Sequence, residues 1–237
     1  MSREVAVVDD PAAEAAARIA SVVRAGGEIA LAGGSTPRRS YELLAAMDLD
    51  WTGVGLWLGD DRCVGPDHEF SNYRMVEEEL VARLPAGRRP RAWHRIRGEL
   101  GPEPAAAALE DDLRDSFGDG DAPPRFDLIL LGIGPDAHTA SLFPGDSALG
   151  ERERWAVGVQ TPGMAPLVPR VTLTLPVLDA AAEVLFLISG ADKADAVARA
   201  FGDAPGPDAP ASLVRPADGA LTVLLDAPAA ARLGATG

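Results

Sequence analysis

One of the three histidines in the chain, His138, ends the segment Gly132-Ile133-Gly134-Pro135-Asp136-Ala137-His138. That segment directly follows the apolar run Phe126-Asp127-Leu128-Ile129-Leu130-Leu131. Imidazole titrates nearest neutral pH, so a histidine just beyond a buried strand is equipped to move protons. A polar loop histidine can also serve as a structural hydrogen-bonding group, and the segment alone leaves both readings open. Asp136 could fix the tautomer of the ring or cap a following helix. Basic side chains fall at comparable places. Arg62 closes Gly59-Asp60-Asp61-Arg62, Arg170 opens Arg170-Val171-Thr172-Leu173-Thr174, and Lys193 closes Ser189-Gly190-Ala191-Asp192-Lys193. A fixed guanidinium takes phosphate oxygens in pairs. Asp60 and Asp61 could orient that group or a catalytic one, or form a solvated cluster.

Gly33-Gly34-Ser35-Thr36-Pro37 adds a glycine turn with two hydroxyls. Glycines let backbone approach a ligand, and free amides at a helix start favour an anion. The segment matches neither the P-loop nor the dinucleotide-binding fingerprint, and it also reads as a tight turn with an ordinary N-cap. Lysine occurs once, at 193, so the other 21 of the 22 basic residues are arginine. Drift of lysine codons toward arginine in a GC-rich genome explains the bias. A cation near the first turn of a helix opposes the helix dipole, so Lys193 either faces an anionic ligand or lies along the surface.

These residues need a frame that brings strand ends together. Strand patterns over 4–8, 28–32, 54–58, 92–96, 126–131, 155–159, 171–175, 183–189 and 221–225 alternate with helical patterns. The helical patterns cover 11–24, 38–47, 71–84, 102–117, 176–181 and 191–201. Such alternation predicts βαβ units and a mainly parallel sheet, in which ligands bind at the carboxyl ends of strands. Ser71 or Asn72 is the expected N-cap of its helix. The Gly202–Pro210 stretch is short for a linker, and one domain over 1–237 is expected.

Composition excludes other classes. The net charge is −14, from 22 basic and 36 acidic residues, and the chain is 47% hydrophobic. An acidic chain without a basic stripe is a poor nucleic-acid binder. No polybasic segment or spanning apolar run predicts membrane association. One cysteine, Cys63, excludes an internal disulfide framework, and it reads as a small apolar filler. No signal-peptide pattern opens the chain, and a cytoplasmic setting is expected. His68 and His94 lack metal-ligand spacing, so no metal is expected. Ser141 lies in no nucleophile elbow. Glu110-Asp111-Asp112, inside a helical pattern, reads as solvated surface.

Several stretches together resemble the 6-phosphogluconolactonases of the glucosamine-6-phosphate isomerase/6-phosphogluconolactonase family. They are LAGGSTPRRSYELLA, WLGDDRCVGPDHEFSNYRMVEEEL, FDLILLGIGPDAHTASLFPG, PRVTLTLPVLDAAAEVLFLISGADK and ASLVRP, in the family's order. The resemblance implies a three-layer α/β/α fold akin to glucosamine-6-phosphate deaminase and ribose-5-phosphate isomerase. It implies hydrolysis of 6-phospho-D-glucono-1,5-lactone with no cofactor, by a monomer whose partner is the sugar-phosphate lactone. His138 stands at the family's catalytic histidine and Asp60 at the acid opening its Asp-Glu-Arg stretch, and these two are the expected catalytic residues. Gly34, Ser35 and Thr36 occupy its phosphate-facing turn. Arg62 and Lys193 match its phosphate- or substrate-contacting basic residues, and Arg170 the arginine before its Thr-Leu-Thr strand. Asp61 replaces the usual glutamate, Gly65 a proline, and Ala137 the glycine before the histidine. If that position needs φ > 0, alanine there is strained by roughly 1 kcal/mol. The rival readings are a glucosamine-6-phosphate deaminase-like isomerase, expected to carry Asp-Glu-Tyr at 60–62, and a non-catalytic sugar-phosphate sensor.

Overall fold

The computed structural model describes residues 2–202 and 208–234; part of the 202–210 stretch therefore lies outside the described residues. In chain order the strands and helices are β1 (Ser2–Val7), α1 (Pro11–Ala25), β2 (Gly27–Leu31), α2 (Arg38–Ala46), β3 (Val54–Leu58), β4 (Asp60–Arg62), α3 (Asn72–Glu79), β5 (Ala92–Trp93), α4 (Pro102–Phe117), β6 (Leu128–Leu131), β7 (Ala156–Val159), β8 (Arg170–Leu173), α5 (Leu175–Ala180), β9 (Glu183–Ile188), α6 (Ala194–Phe201), β10 (Ala220–Leu225) and α7 (Ala227–Ala230).

Seven strands form one sheet in the order β1-β10-β9-β6-β2-β3-β5, and every pairing in it is parallel. The sequence explains why. Leu128-Ile129-Leu130-Leu131 is buried throughout, as are the last five residues of β9 and of β10. A continuous apolar run suits a strand covered on both faces, which is the parallel-sheet situation. Helix α1 packs on β2, β9 and β10 and against α2. Its N-terminus has Pro at the first position and is capped by Asp10, whose carboxylate accepts from the Ala13 amide. Among the described residues, no helix is long and apolar enough to cross a membrane.

The remaining three strands depart from the sequence expectation. Gly59–Arg62 reads as a loop at a strand end, yet 60–62 form β4. The strand patterns at 155–159 and 171–175 do not join the main sheet. They become β7 and β8, and the three make a separate antiparallel sheet in the order β4-β8-β7. Each run is only three or four residues long, and such runs carry no signal of pairing direction. The cost of leaving β3 at Leu58 and re-entering a second sheet at Asp60 is met by backbone pairing. Gly59 donates to the Leu31 carbonyl and accepts from the Leu173 amide, so one residue joins both sheets. Smaller differences are local. The helix expected through residue 84 ends at Glu79 and gives way to a 3-10 turn over Val81–Arg83. The first turn of the 191–201 helix is likewise 3-10.

Gly98 sets the position of β4 from outside. A Cβ there would lie 2.4 Å from the Arg62 carbonyl oxygen and 2.9 Å from the Cys63 Cα and the Val64 nitrogen. These are backbone atoms, which cannot rotate away. Gly98→Ala should therefore cost about 1–3 kcal/mol, the range for overpacking, measurable as a shift of the urea midpoint. A midpoint unchanged from wild type would show that the 62–64 backbone yields freely.

Candidate active site

The carboxyl ends of β2, β3, β6 and β9 open onto a cavity of about 300 Å³. Gly34, Ser35, Thr36, Asp60, Arg62, His138, Arg170 and Lys193 all line it. The eight site residues that the resemblance implies thus reach one space, although they come from five segments spread between 34 and 193.

His138 is held by its own loop. Its Nδ1 lies 2.5 Å from Asp136 Oδ1, and the same oxygen accepts from the His138 backbone amide at 3.1 Å. Asp136 therefore caps no helix; it braces the ring. Burial pushes the Asp136 carboxyl up, but the hydrogen bonds and charge of His138 outweigh it, leaving the carboxyl below its ordinary value. An ionised Asp136 accepts a proton-bearing Nδ1, and this directs the basic lone pair to Nε2. The ring also stands 4.5 Å from that of Phe143, centroid to centroid. Gly134 makes room for it, since a Cβ there would lie 2.1 Å from Cε1 and Nδ1 of His138.

Ala137 and Ala140 bracket this segment with φ of +67° and +47°. The strained position expected at 137 is therefore real. Ala137 is also fully buried, its amide donates to Gly134 and its carbonyl accepts from Ala211.

Arg62 and Arg170 are directly opposite partners across the β4–β8 ladder, and both line the cavity. Like charges in that relation destabilise a sheet. Arg62 Nη1 donates to the Phe70 carbonyl at 2.7 Å, and Arg170 Nη2 to the Met164 and Pro166 carbonyls at 3.3 Å. The Nε of each is buried and has no partner among the described residues. Burial, with the neighbouring Arg62 charge, lowers the Arg170 pKa, while Asp60 raises it. The Arg170 guanidinium also lies over the Phe143 ring at 5.3 Å. A cavity wall with two guanidinium groups, each with a buried and unpartnered Nε, has the chemistry to attract an anion.

The two acids beside Arg62 divide their work. Asp61 is a structural cap: its carboxylate accepts from the backbone amides of Arg62, Asn72 and Tyr73 and from Ser71 Oγ. Ser71 Oγ in turn accepts from the Arg74 amide, so Ser71 is the N-cap of α3. Burial pushes the Asp61 carboxyl up to about 6, against the pull of those amides. Asp60 instead faces the cavity, and its Oδ2 accepts from Ser141 Oγ at 2.5 Å. Ser141 is thus an anchor for Asp60.

The N-cap reading of the Gly33–Thr36 turn does not hold, although the segment is a tight turn in which the Arg38 amide donates to the Ser35 carbonyl. Helix α2 begins at Arg38 with no side-chain cap, so Ser35 and Thr36 are not spent as ordinary N-caps. Gly34 has φ +93°, and Gly33 is where a Cβ would collide with the Asn72 amide at 1.8 Å. Asn72 donates to the Asp60 carbonyl and lines the cavity. The sequence marked Asn72 only as a possible cap. Met164 and Ser189, also lining residues, carried no signal. Lys193 lies 3.4 Å from Asp192, whose side chain is mostly exposed, while its own is one-fifth exposed.

Other candidates fall elsewhere. His94 stacks on Trp57 at 3.6 Å, and His68 accepts from the Phe70 amide. Burial pushes the half-buried Cys63 thiol up to about 11. Glu110 corrects its reading as solvated surface: it pairs with Arg154 and accepts from the Trp155 amide, and its side chain is mostly buried.

A parallel sheet with this cavity at its carboxyl edge defines the three-layer α/β class found in several sugar-phosphate proteins. A 6-phosphogluconolactonase from Trypanosoma brucei has this fold, with a TM-score of 0.85 and 28% identity over 98% of this chain and 99% of that one. A monomeric glucosamine-6-phosphate deaminase shares the fold at a TM-score of 0.79 and 22% identity, covering 98% of this chain and all of that one. A 6-phosphogluconolactonase from Nostoc sp. is 40% identical over 212 residues, 86% of this chain and 84% of that protein. The human 6-phosphogluconolactonase is 42% identical over 183 residues, 77% and 68% of the two chains. The profile of the glucosamine-6-phosphate isomerases/6-phosphogluconolactonase family matches residues 2–223, and the chain belongs to that family.

Two terms set the outcome of Ala137→Gly. Relief of the left-handed backbone gains about 1–2 kcal/mol, and loss of a buried methyl costs about 0.8 kcal/mol. The variant should unfold within about 1 kcal/mol of wild type by urea titration. A loss well beyond that would show that the methyl, rather than the backbone bonds, holds the loop.

Proposed function

We propose that this chain hydrolyses 6-phospho-D-glucono-1,5-lactone to 6-phospho-D-gluconate, the lactone step of the oxidative pentose phosphate route. One observation carries the reading. A histidine with Nδ1 engaged by an ionised Asp136 shares a cavity of about 300 Å³ with the opposed pair Arg62 and Arg170 and with Lys193. The 6-phosphogluconolactonases among its relatives support the same substrate.

A δ-lactone is an activated ester, so water suffices as nucleophile. His138 Nε2 takes a proton as water oxygen bonds to C1. The tetrahedral intermediate collapses, the C1–ring oxygen bond breaks, and the imidazolium returns the proton to the departing ring oxygen. The acid product then loses its proton to solvent. The 6-phosphate binds to Arg62, Arg170, Lys193 and the Gly34-Ser35-Thr36 turn, which neutralises the like-charge pair. That remote binding energy positions C1 at His138. The same preorganised positive field favours the oxyanion that forms at C1. Asp60, fixed by Ser141, is the acceptor for a sugar hydroxyl. The proposed chemistry needs water and side chains of one chain, and the reading is of a monomer without cofactor in a cytoplasmic setting.

Wild-type protein should open the lactone well above the spontaneous rate, followed as acid release in a pH-stat, and should liberate no ammonia from glucosamine 6-phosphate. His138→Ala should lower kcat by roughly 10²–10⁴, the range of general acid–base help. Turnover near wild type in that variant would exclude His138 as the base. Ammonia release by wild type would instead favour the isomerase reading.

A further inference from the structure

Lys193 is the only lysine in the chain, and among the described residues its side chain has one ion-pair partner, the adjacent Asp192. Its ion-pair partner Asp192 is 3.4 Å away with a side chain 70% exposed, and such pairs contribute little. It follows Gly190, whose φ of +103° makes the sharp turn between β9 and the 3-10 turn Ala191–Lys193. The restraint on that junction comes from the neighbouring strand. In the parallel ladder Leu225 of β10 is level with Ile188 of β9, so Asp226 emerges beside Ser189. The Asp226 carboxylate accepts from Ser189 Oγ and, at 3.0 and 3.2 Å, from the Gly190 amide. Its Oδ1 also caps α7 through the Ala229 amide at 2.8 Å. The Gly190 carbonyl then accepts from the Lys193 amide at 3.1 Å. Two successive hydrogen bonds therefore connect Asp226 to the backbone of Lys193. Burial would raise the Asp226 carboxyl, but the Ser189, Ala229 and Gly190 donors outweigh it and keep it ionised. Neither Asp226 nor α7 lines the cavity.

We propose that Asp226 is a positioning residue for the anion grip: it clamps the Ser189–Gly190 turn and so sets where Lys193 enters the cavity. This rests on the reading that Lys193 contacts the 6-phosphate. Asp226→Ser separates the two duties of the carboxylate, because serine caps a helix well but has one short hydroxyl and cannot also hold Gly190. Asp226→Asn keeps one acceptor, which can occupy the Oδ1 position that serves both the Ala229 and Gly190 amides, while its amide nitrogen can donate to Ser189 Oγ.

The test measures kcat and KM for the phosphorylated lactone and for unphosphorylated glucono-1,5-lactone, and 6-phosphogluconate binding by calorimetry. The proteins are wild type, Asp226→Ser, Asp226→Asn, Lys193→Ala and the Asp226→Ser/Lys193→Ala double variant. Asp226→Ser should raise KM and the 6-phosphogluconate Kd roughly tenfold, the size of one charge-assisted hydrogen bond. Its kcat should be little changed, and so should kcat/KM for the unphosphorylated lactone. Asp226→Asn should recover most of the loss. In the Lys193→Ala background the Asp226 substitution should add nothing, the signature of two residues acting as one. Equal losses on both lactones, or additive losses in the double variant, would overturn the proposal. Absence of lactone turnover by wild type would strike the proposed function instead, and the binding arm would still decide the role of Asp226.

Discussion

Two arginines face each other across a three-residue strand, and much of the molecule is arranged around that repulsion. Arg62 and Arg170 are register partners in the small antiparallel sheet, each with a buried Nε donor that nothing in the described chain accepts. Desolvated cations set side by side oppose folding. The surrounding structure offsets this with carbonyl acceptors from Phe70, Met164 and Pro166, with the Phe143 ring under Arg170, and with the nearby Asp60 carboxylate. None of these uses the Nε donors. On the proposed reading a phosphate completes the pair, so the same unfavourable contact that strains the apo protein supplies affinity for the substrate.

The small sheet places that pair where the large sheet's carboxyl edge opens onto the cavity. Gly59 pairs with both sheets at once, and Gly98 lies close enough to fix the 62–64 backbone. Asp61 satisfies the first amides of α3 while Asp60, one residue earlier and on the opposite side of the strand, faces the cavity. Period-two alternation along β4 thus gives two adjacent carboxylates two different tasks. The histidine wall follows a similar economy. Asp136 braces the ring through Nδ1, Gly134 leaves the space it occupies, and Ala137 and Ala140 take left-handed backbone on either side.

The sequence made the large sheet legible because β2, β3, β6, β9 and β10 lie in apolar runs separated by helical patterns. It also made the cavity legible, since His138, Arg62, Arg170, Lys193 and the Gly33–Thr36 turn all follow or open strand patterns, and parallel strands gather such ends at one edge. What it concealed depends on pairing between distant short runs. Nothing local in Asp60-Asp61-Arg62 says that it is a strand, or that Arg170 lies across from it. Asn72 read only as a cap because its contact with the Asp60 carbonyl depends on a glycine 39 positions away in sequence, at 33. Asp226 gave no signal at all, since its partners Ser189 and Gly190 come alongside only through the β9–β10 register.

The most direct test is a crystal structure with the product 6-phosphogluconate bound. The phosphate should accept from the Arg62 and Arg170 guanidinium groups, with Lys193 and the Gly34–Thr36 amides around it and the C1 carboxylate beside His138 Nε2. A phosphate bound away from the two guanidinium groups, or a sugar lying in the reverse direction with C1 remote from His138, would contradict this arrangement.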